Sequence, residues 1–247
     1  MNVSAVSDHS VLGRVLRFPL RLIPRETRVW ILQGRLRGKR WVAGSSINGC
    51  WLGTYEWEKQ REFERTVRPG WVIYDVGAHV GFYSLLAAEL AGDGGKVYAF
   101  EPASRNLRYL RKHVEMNRAS TIDVRPFGVA ATTGTASMAS GPPGMVGTMG
   151  HIADEGDVTI QTVSLDGFLD DGALPPDLIK MDIEGGEARA LRGASRILRE
   201  HRPVIFLATH GDDVHAECLE ILGSHGYRLR TLSTPDELLA TPMEAPA

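Results

Sequence analysis

The stretch Asp75-Val76-Gly77-Ala78-His79-Val80-Gly81 sets one carboxylate and two glycines between an apolar run, Trp71-Val72-Ile73, and a second one, Leu85 to Leu90. The unit reads strand, tight glycine turn, helix, which presents free backbone N–H groups and a cofactor at the carboxyl end of a central strand. The dinucleotide fingerprint G-x-G-x-x-G is missing, because His79 stands where the second glycine belongs. Asp75 would also point a negative charge into a phosphate site. A cationic, phosphate-free cofactor suits the turn better, and S-adenosylmethionine carries an ammonium and a sulfonium. Glu101 closes the next apolar run, Lys96 to Phe100, 24 residues after Gly77. A carboxylate there accepts hydrogen bonds from both ribose hydroxyls, in NAD as in S-adenosylmethionine. The two acids with the absent glycine favour the methyl donor over NAD.

The elements that must hold these residues follow a βαβ rhythm from residue 71 onward. Strands are expected at 71–76, 96–100, 122–127, 178–182, 203–208 and 227–232, with helices at 81–91, 104–117, 187–200 and 212–225. Ala130–Ala139 and Val158–Val163 read as strands flanking a long loop, 140–156, rich in glycine, proline and methionine. A loop of that length suits a lid or a recognition surface. Ahead of this pattern, nine basic residues between Arg14 and Arg40 face one acid, Glu26. Val11, Leu12, Val15, Leu16 and Leu22 interleave at helical spacing. This zone reads either as a helical cap with a solvated basic face or as a surface for an acidic substrate, a partner or a membrane. The aromatic residues of 51–57 belong either to the core or to a pocket wall. The division is therefore a helical extension at 1–68, a cofactor-binding α/β domain at 69–234 with a mostly parallel sheet flanked by helices, and a loose, proline-containing tail at 235–247.

With 247 residues, a net charge of −2 and two cysteines, the chain gives no reason to expect a nucleic-acid partner, a disulfide framework or a Cys-based zinc site. No apolar run reaches the roughly 20 residues of a membrane span, and no signal peptide is evident, so a cytoplasmic setting is expected.

Three motifs in order, Asp75 to Ser84, Ala99-Phe100-Glu101-Pro102 with Asn106, and Ile179 to Gly185 with Glu187, resemble the FkbM-type S-adenosylmethionine-dependent methyltransferases. Trp51 to Glu56 is similar to that family's lead-in, and the resemblance covers about residues 48–232. It implies a class I methyltransferase, Rossmann-like fold and O-methylation of a sugar or natural-product hydroxyl. It also implies that Gly77, Phe82, Tyr83 and Ser84 surround the methionine part of the donor, with Tyr55, Glu56, His79 and Gly81 as further cofactor-binding candidates. Glu101 would then hold the ribose and Gly128 and Val129 lie near the adenine, with Pro102 and Asn106 as further cofactor-binding candidates. One departure stands out. The resemblance implies a glutamate two residues before His210 on the fifth strand, and this chain has Ala208 there.

Methyl transfer to a hydroxyl requires that the acceptor be held and its proton removed. Asp182 and His210 end neighbouring strands and face one crevice, and Asp182 also lies beside the donor. Glu184 and Glu187 follow on a turn and helix, placed with His151 for contact with substrate. Two mechanisms fit: direct base catalysis by His210 or Asp182, or Mg²⁺ held by Asp182 and a second oxygen ligand. The expected partner is a small-molecule hydroxyl acceptor, with self-association through the N-terminal helices. The rival readings are an NAD-dependent oxidoreductase and a non-catalytic cofactor-binding protein.

Overall fold

In a computed structural model, which describes residues 23–139, 151–152 and 158–243, the chain begins with a hairpin, β1 (Arg28–Trp30) against β2 (Arg40–Val42). Helices were expected through this basic zone. The periodic apolar residues that suggested them, 11–22, and with them the surface for self-association, lie outside the described residues. Within 28–42 the chain reverses because Gly34 and Gly38 adopt positive φ, and Trp41 and Val42 are buried completely. Helices α1 (Asn48–Leu52) and α2 (Trp57–Thr66) follow. Phe63 of α2 packs edge-on against Tyr83 and Phe206 at 5.3 and 5.2 Å.

The βαβ run comprises β3 (Val72–Val76), α3 (Phe82–Ala91), β4 (Lys96–Phe100), α4 (Ser104–Asn117) and β5 (Ile122–Arg125). β5 stops two residues short of its expected end, since Pro126 has no N–H to continue the ladder. The chain then leaves the main sheet. β6 (Gly128–Val129), β7 (Gly134–Ala139), β8 (His151–Ile152) and β9 (Val158–Val163) form a second sheet in the order β6-β9-β7-β8. Helix α5 (Leu165–Asp170) starts at Ser164, whose Oγ accepts from the Gly167 N–H at 3.1 Å. After β10 (Leu178–Met181), the helix expected at 187–200 is two, α6 (Glu187–Arg192) and α7 (Ser195–Glu200). Gly193 separates them and lies so close to the Ala130 backbone that a Cβ there would overlap the Ala130 carbonyl. β11 (Val204–Ala208), α8 (Asp212–Ser224), β12 (Tyr227–Thr231) and β13 (Glu237–Pro242) complete the chain.

The main sheet has seven strands in the order β12-β13-β11-β10-β3-β4-β5. β13 is antiparallel to both its neighbours, and the other pairs are parallel. The strand order reverses between β3 and β10, and ligands bind in the crevice at such a switch point. This is the class I methyltransferase architecture. Alternation along the strands splits the core into two faces: Ile73, Val97, Leu178 and Phe206 belong to one apolar cluster, Tyr74, Tyr98, Ile179 and Ile205 to the other. The region from 235, expected to be loose, supplies β13 instead. Leu238, Leu239 and Ala240 are buried there, because β13 fills the gap between β11 and β12. Among the described residues no helix is long and apolar enough to cross a membrane.

Candidate active site

The glycine turn lies where β3 gives way to α3. Gly77 takes φ 79° with its Cα against the end of β10, and a side chain there would overlap the Asp182 carbonyl oxygen. The turn was expected to offer free N–H groups, and the structure corrects this. The Gly77 and Ala78 amides donate to the Phe100 carbonyl at 3.1 and 2.9 Å, Gly81 donates to Ala78 at 2.8 Å, and His79 donates to Glu101 Oε2 at 2.8 Å. With these four amides engaged, the turn is a poor cradle for phosphate.

Asp75 also differs from expectation. It is 1% exposed and lines neither of the two cavities beside the turn. Its Oδ2 accepts from Ser84 Oγ at 2.6 Å, and its Oδ1 faces Lys180 Nζ at 3.6 Å. Burial pushes its pKa up, against the pull of Lys180 and Ser84. Lys180 sits opposite Asp75 in the β10–β3 register and donates to the Gly77 carbonyl at 3.0 Å, so this buried pair supports the turn from behind. Gly81, Ser84 and Glu56 likewise line neither cavity.

One cavity is bordered by Gly77, His79, Glu101, Pro102, Asn106, Gly128 and Val129, with Phe100, Phe127, Met138, Asp182, Ile183 and Glu184. Apolar walls with a carboxylate at the rim suit a nucleoside. Glu101 is held by the Ala103 N–H at 2.9 Å and Asn106 Nδ2 at 3.3 Å in addition to His79. Burial nevertheless raises its pKa to about 7. The second cavity is bordered by Tyr55, Gly77, His79, Phe82, Tyr83, Lys180 and Asp182, with Ser46, Ile47, Cys50, Ala78 and Val80. Gly77, His79 and Asp182 border both, so the two meet at the turn.

Asp182 is the junction. Burial by itself would raise its pKa, but the ammonium groups of Lys180 and Lys59, with His210 and His79, outweigh burial and hold it below the usual carboxylate range. Its Oδ2 faces Lys180 at 3.7 Å and Lys59 at 3.9 Å, and its Oδ1 faces His210 Nε2 at 3.7 Å. Glu187 is completely buried and accepts from the Ile183 and Gly185 amides and from His210 Nδ1, the last at 2.9 Å. That bond raises the His210 pKa, opposed by burial and helped by Glu184, Glu187 and Asp182. Glu187 therefore orients His210 from behind and is withdrawn from the cleft. Glu184, at φ 55°, brings its Oε1 to 3.7 Å from His210 Nε2. Ligand atoms of Asp182, Glu184 and His210 lie within 4.8 Å of one another. The side chain of His151 lies outside the described residues.

Sequence reasoning missed Lys59, Lys180 and Glu237. Lys180 carries a faint signal, a charge within the apolar run Leu178 to Met181. Lys59 and Glu237 carry none, because they gain meaning only through contacts distant in sequence. Ala208 lies directly across from Glu237 in the β11–β13 register.

The family model described as the methyltransferase FkbM domain matches residues 75–229. A hexuronic acid methyltransferase, AglP, of Haloferax volcanii is 30% identical over 143 residues, covering 58% of this chain and 57% of that protein. The chain thus spans little more than half the length of that relative. Solved structures with a similar course include a methyltransferase FkbM from Methylobacillus flagellatus, 22% identical with a TM-score of 0.49, covering 93% of this chain and 60% of that one. A Thermotoga maritima O-methyltransferase is 11% identical with a TM-score of 0.49, covering 77% and 66%. With 75–229 matched, and with the glycine turn, Glu101, Asp182 and His210 all inside that range, the chain belongs to the FkbM methyltransferase domain family.

Proposed function

We propose that the chain is an S-adenosylmethionine-dependent O-methyltransferase acting on a hydroxyl of a sugar or sugar-bearing small molecule. The observation that carries this reading is Asp182, which borders both cavities and stands 3.7 Å from His210 Nε2, so that donor site and base converge on one carboxylate. S-adenosylmethionine would supply a methyl group from its sulfonium. Glu101 takes the ribose hydroxyls, and the apolar walls of Phe127, Val129 and Met138 take the base. Lys180 and Asp182 offer opposite charges for the amino-acid end, beside the aromatic faces of Tyr55, Phe82 and Tyr83, which favour a cation. The engaged amides of the turn argue against a pyrophosphate, and hence against the NAD reading. His210, its Nδ1 fixed by Glu187, presents Nε2 to accept the acceptor's proton. The name of the Haloferax relative makes a uronic acid the first acceptor to try.

One specific observation favours a second reading of the acceptor half. Asp182 Oδ1, Glu184 Oε1 and His210 Nε2 form an oxygen and nitrogen donor set whose histidine is already oriented through its other nitrogen. These three residues would hold Mg²⁺, which would lower the pKa of a coordinated hydroxyl. The two readings use His210 Nε2 exclusively of one another.

Titration calorimetry with S-adenosylhomocysteine and with NAD tests the donor, and NAD binding alone would overturn the assignment. A radiolabelled methyl-transfer assay on uronic acid glycosides tests the reaction. His210→Asn should lower turnover by about 10²-fold or more. Full activity in EDTA would exclude the metal, and loss restored by Mg²⁺ would exclude Nε2 as the base. Donor binding without transfer to any glycoside would favour the non-catalytic reading.

A further inference from the structure

Lys59 is the least exposed charged side chain of α2, and its surroundings explain why. Its Nζ stands 3.1 Å from Glu56 Oε2, 3.1 Å from Glu237 Oε1 and 3.9 Å from Asp182 Oδ2, with the side chain 3% exposed. Three carboxylates, from the cap of α2, the end of β10 and the start of β13, thus converge on one buried ammonium. A buried cation is tolerated only when so compensated, and removing it leaves its partners as unpaired like charges. The cluster continues into the donor cavity. Glu56 accepts from the Tyr83 hydroxyl at 2.9 Å, and Tyr83 and Asp182 both border the cavity with the charged and aromatic lining. Lys59 also stands 5.7 Å from the Tyr83 ring centroid. None of these contacts reaches the nucleoside cavity except through Asp182. Lys59 and Glu237 lie outside the matched range, one on each side of residues 75–229.

We infer that Lys59, anchored by Glu237 on β13, is a positioning residue that holds Tyr83 and Asp182 in place for the amino-acid end of the methyl donor. The inference rests on the donor assignment made above and adds to it that the site depends on α2 and on the last strand. Together with Lys180, Lys59 holds Oδ2 of Asp182 so that Oδ1 faces His210. Through Glu56 it also sets the hydroxyl of Tyr83. Glu237 is the third carboxylate on Lys59 and anchors its ammonium from β13 at 3.1 Å. Since direct partners in a ladder point to one face, a carboxylate at position 208 would lie on the same side as Glu237.

The test compares two ligands by titration calorimetry on the full chain. S-adenosylhomocysteine reaches both cavities; adenosine occupies the nucleoside cavity alone. Lys59→Met should weaken S-adenosylhomocysteine at least tenfold, and the isosteric Glu237→Gln about threefold or more. Adenosine affinity should stay within twofold in both variants. The double variant Ala208→Glu with Glu237→Ala should recover S-adenosylhomocysteine affinity relative to Glu237→Ala alone. Glu237→Gln, partly exposed and close in shape, keeps the test open should Lys59→Met fail to fold. A parallel loss of both ligands, or no loss of either, would overturn the inference. If the wild-type chain takes up adenosine but not S-adenosylhomocysteine, the donor assignment itself falls and this inference with it. Wild-type binding that the variants leave unchanged would sink this inference alone.

Discussion

The burial of Glu101 bears directly on the ribose contact proposed for it. Burial lifts its carboxyl to about 7, although the amides of His79 and Ala103 and the side chain of Asn106 all favour the ionised form. Its pKa in the fold exceeds that of the unfolded chain. Its contribution to stability is therefore complete below the unfolded value and is lost as pH rises through about 7. Ligand binding has the opposite sense. In the role proposed for Glu101 only the carboxylate would accept from both ribose hydroxyls, so donor affinity should fall as pH drops below about 7, by up to about tenfold per pH unit for one proton. Glu101→Gln should bind S-adenosylhomocysteine at least about tenfold more weakly at pH 8, and its affinity should be flat between pH 6 and 8. Calorimetry across that range checks both statements, and a wild-type affinity independent of pH would refute the role. Glu101 and Asp182 were legible as cavity-lining residues because each directly follows a strand end, whereas His210, two residues beyond β11, lines neither cavity and meets the site through Asp182 at 3.7 Å. Asp75 was misjudged because its chemistry depends on Lys180, 105 positions away and opposite it in the sheet.

At the scale of elements, α4 ties the N-terminal hairpin to the cofactor turn. His113 accepts from the Val42 amide through Nε2 at 3.0 Å, contacts the Val80 carbonyl through Nδ1 at 2.8 Å, and stacks on Trp41 at 3.8 Å. Asn117 extends the tie with hydrogen bonds to both the N–H and the C=O of Arg40. Burial lowers the His113 pKa to about 4, although the Val80 carbonyl opposes this. A depressed histidine stabilises the fold above its unfolded pKa of about 6.5, and that stability is lost as pH falls toward 4. The loss amounts to about 3 kcal/mol over the whole window. His113→Gln should cost about 2 kcal/mol at pH 7.5, and its urea stability should decline less steeply than wild type between pH 6.5 and 4.5. Parallel curves for the two proteins would remove His113 from this role. The hairpin was not legible, since three-residue strands carry too little alternation to set against neighbouring helical spacing. The longer α3 and α4 were, because ten and fourteen residues fill several turns of consistent pattern.

Across the whole molecule, the parallel half of the sheet could be read from strand and helix alternation, whereas its closing strand could not. β13 follows Pro235 and ends on Pro242, yet among the described residues it is the only ladder partner of β12, and it covers the edge of β11. An unpaired β11 would expose its N–H and C=O groups, and burying Leu238 and Leu239 contributes about 3–6 kcal/mol by apolar area. That is comparable with the whole stability of an ordinary domain, about 5–15 kcal/mol. Ending the chain after Thr234 should therefore abolish the cooperative thermal transition and yield aggregates, rather than merely trim a dispensable tail. Leu239→Ala should retain the transition with a loss of about 2–4 kcal/mol. Circular dichroism melts and size-exclusion chromatography distinguish these outcomes. A monomeric, cooperatively melting truncation would show that β11 is protected in some other way and that β13 is an addition to the fold, not part of its closure.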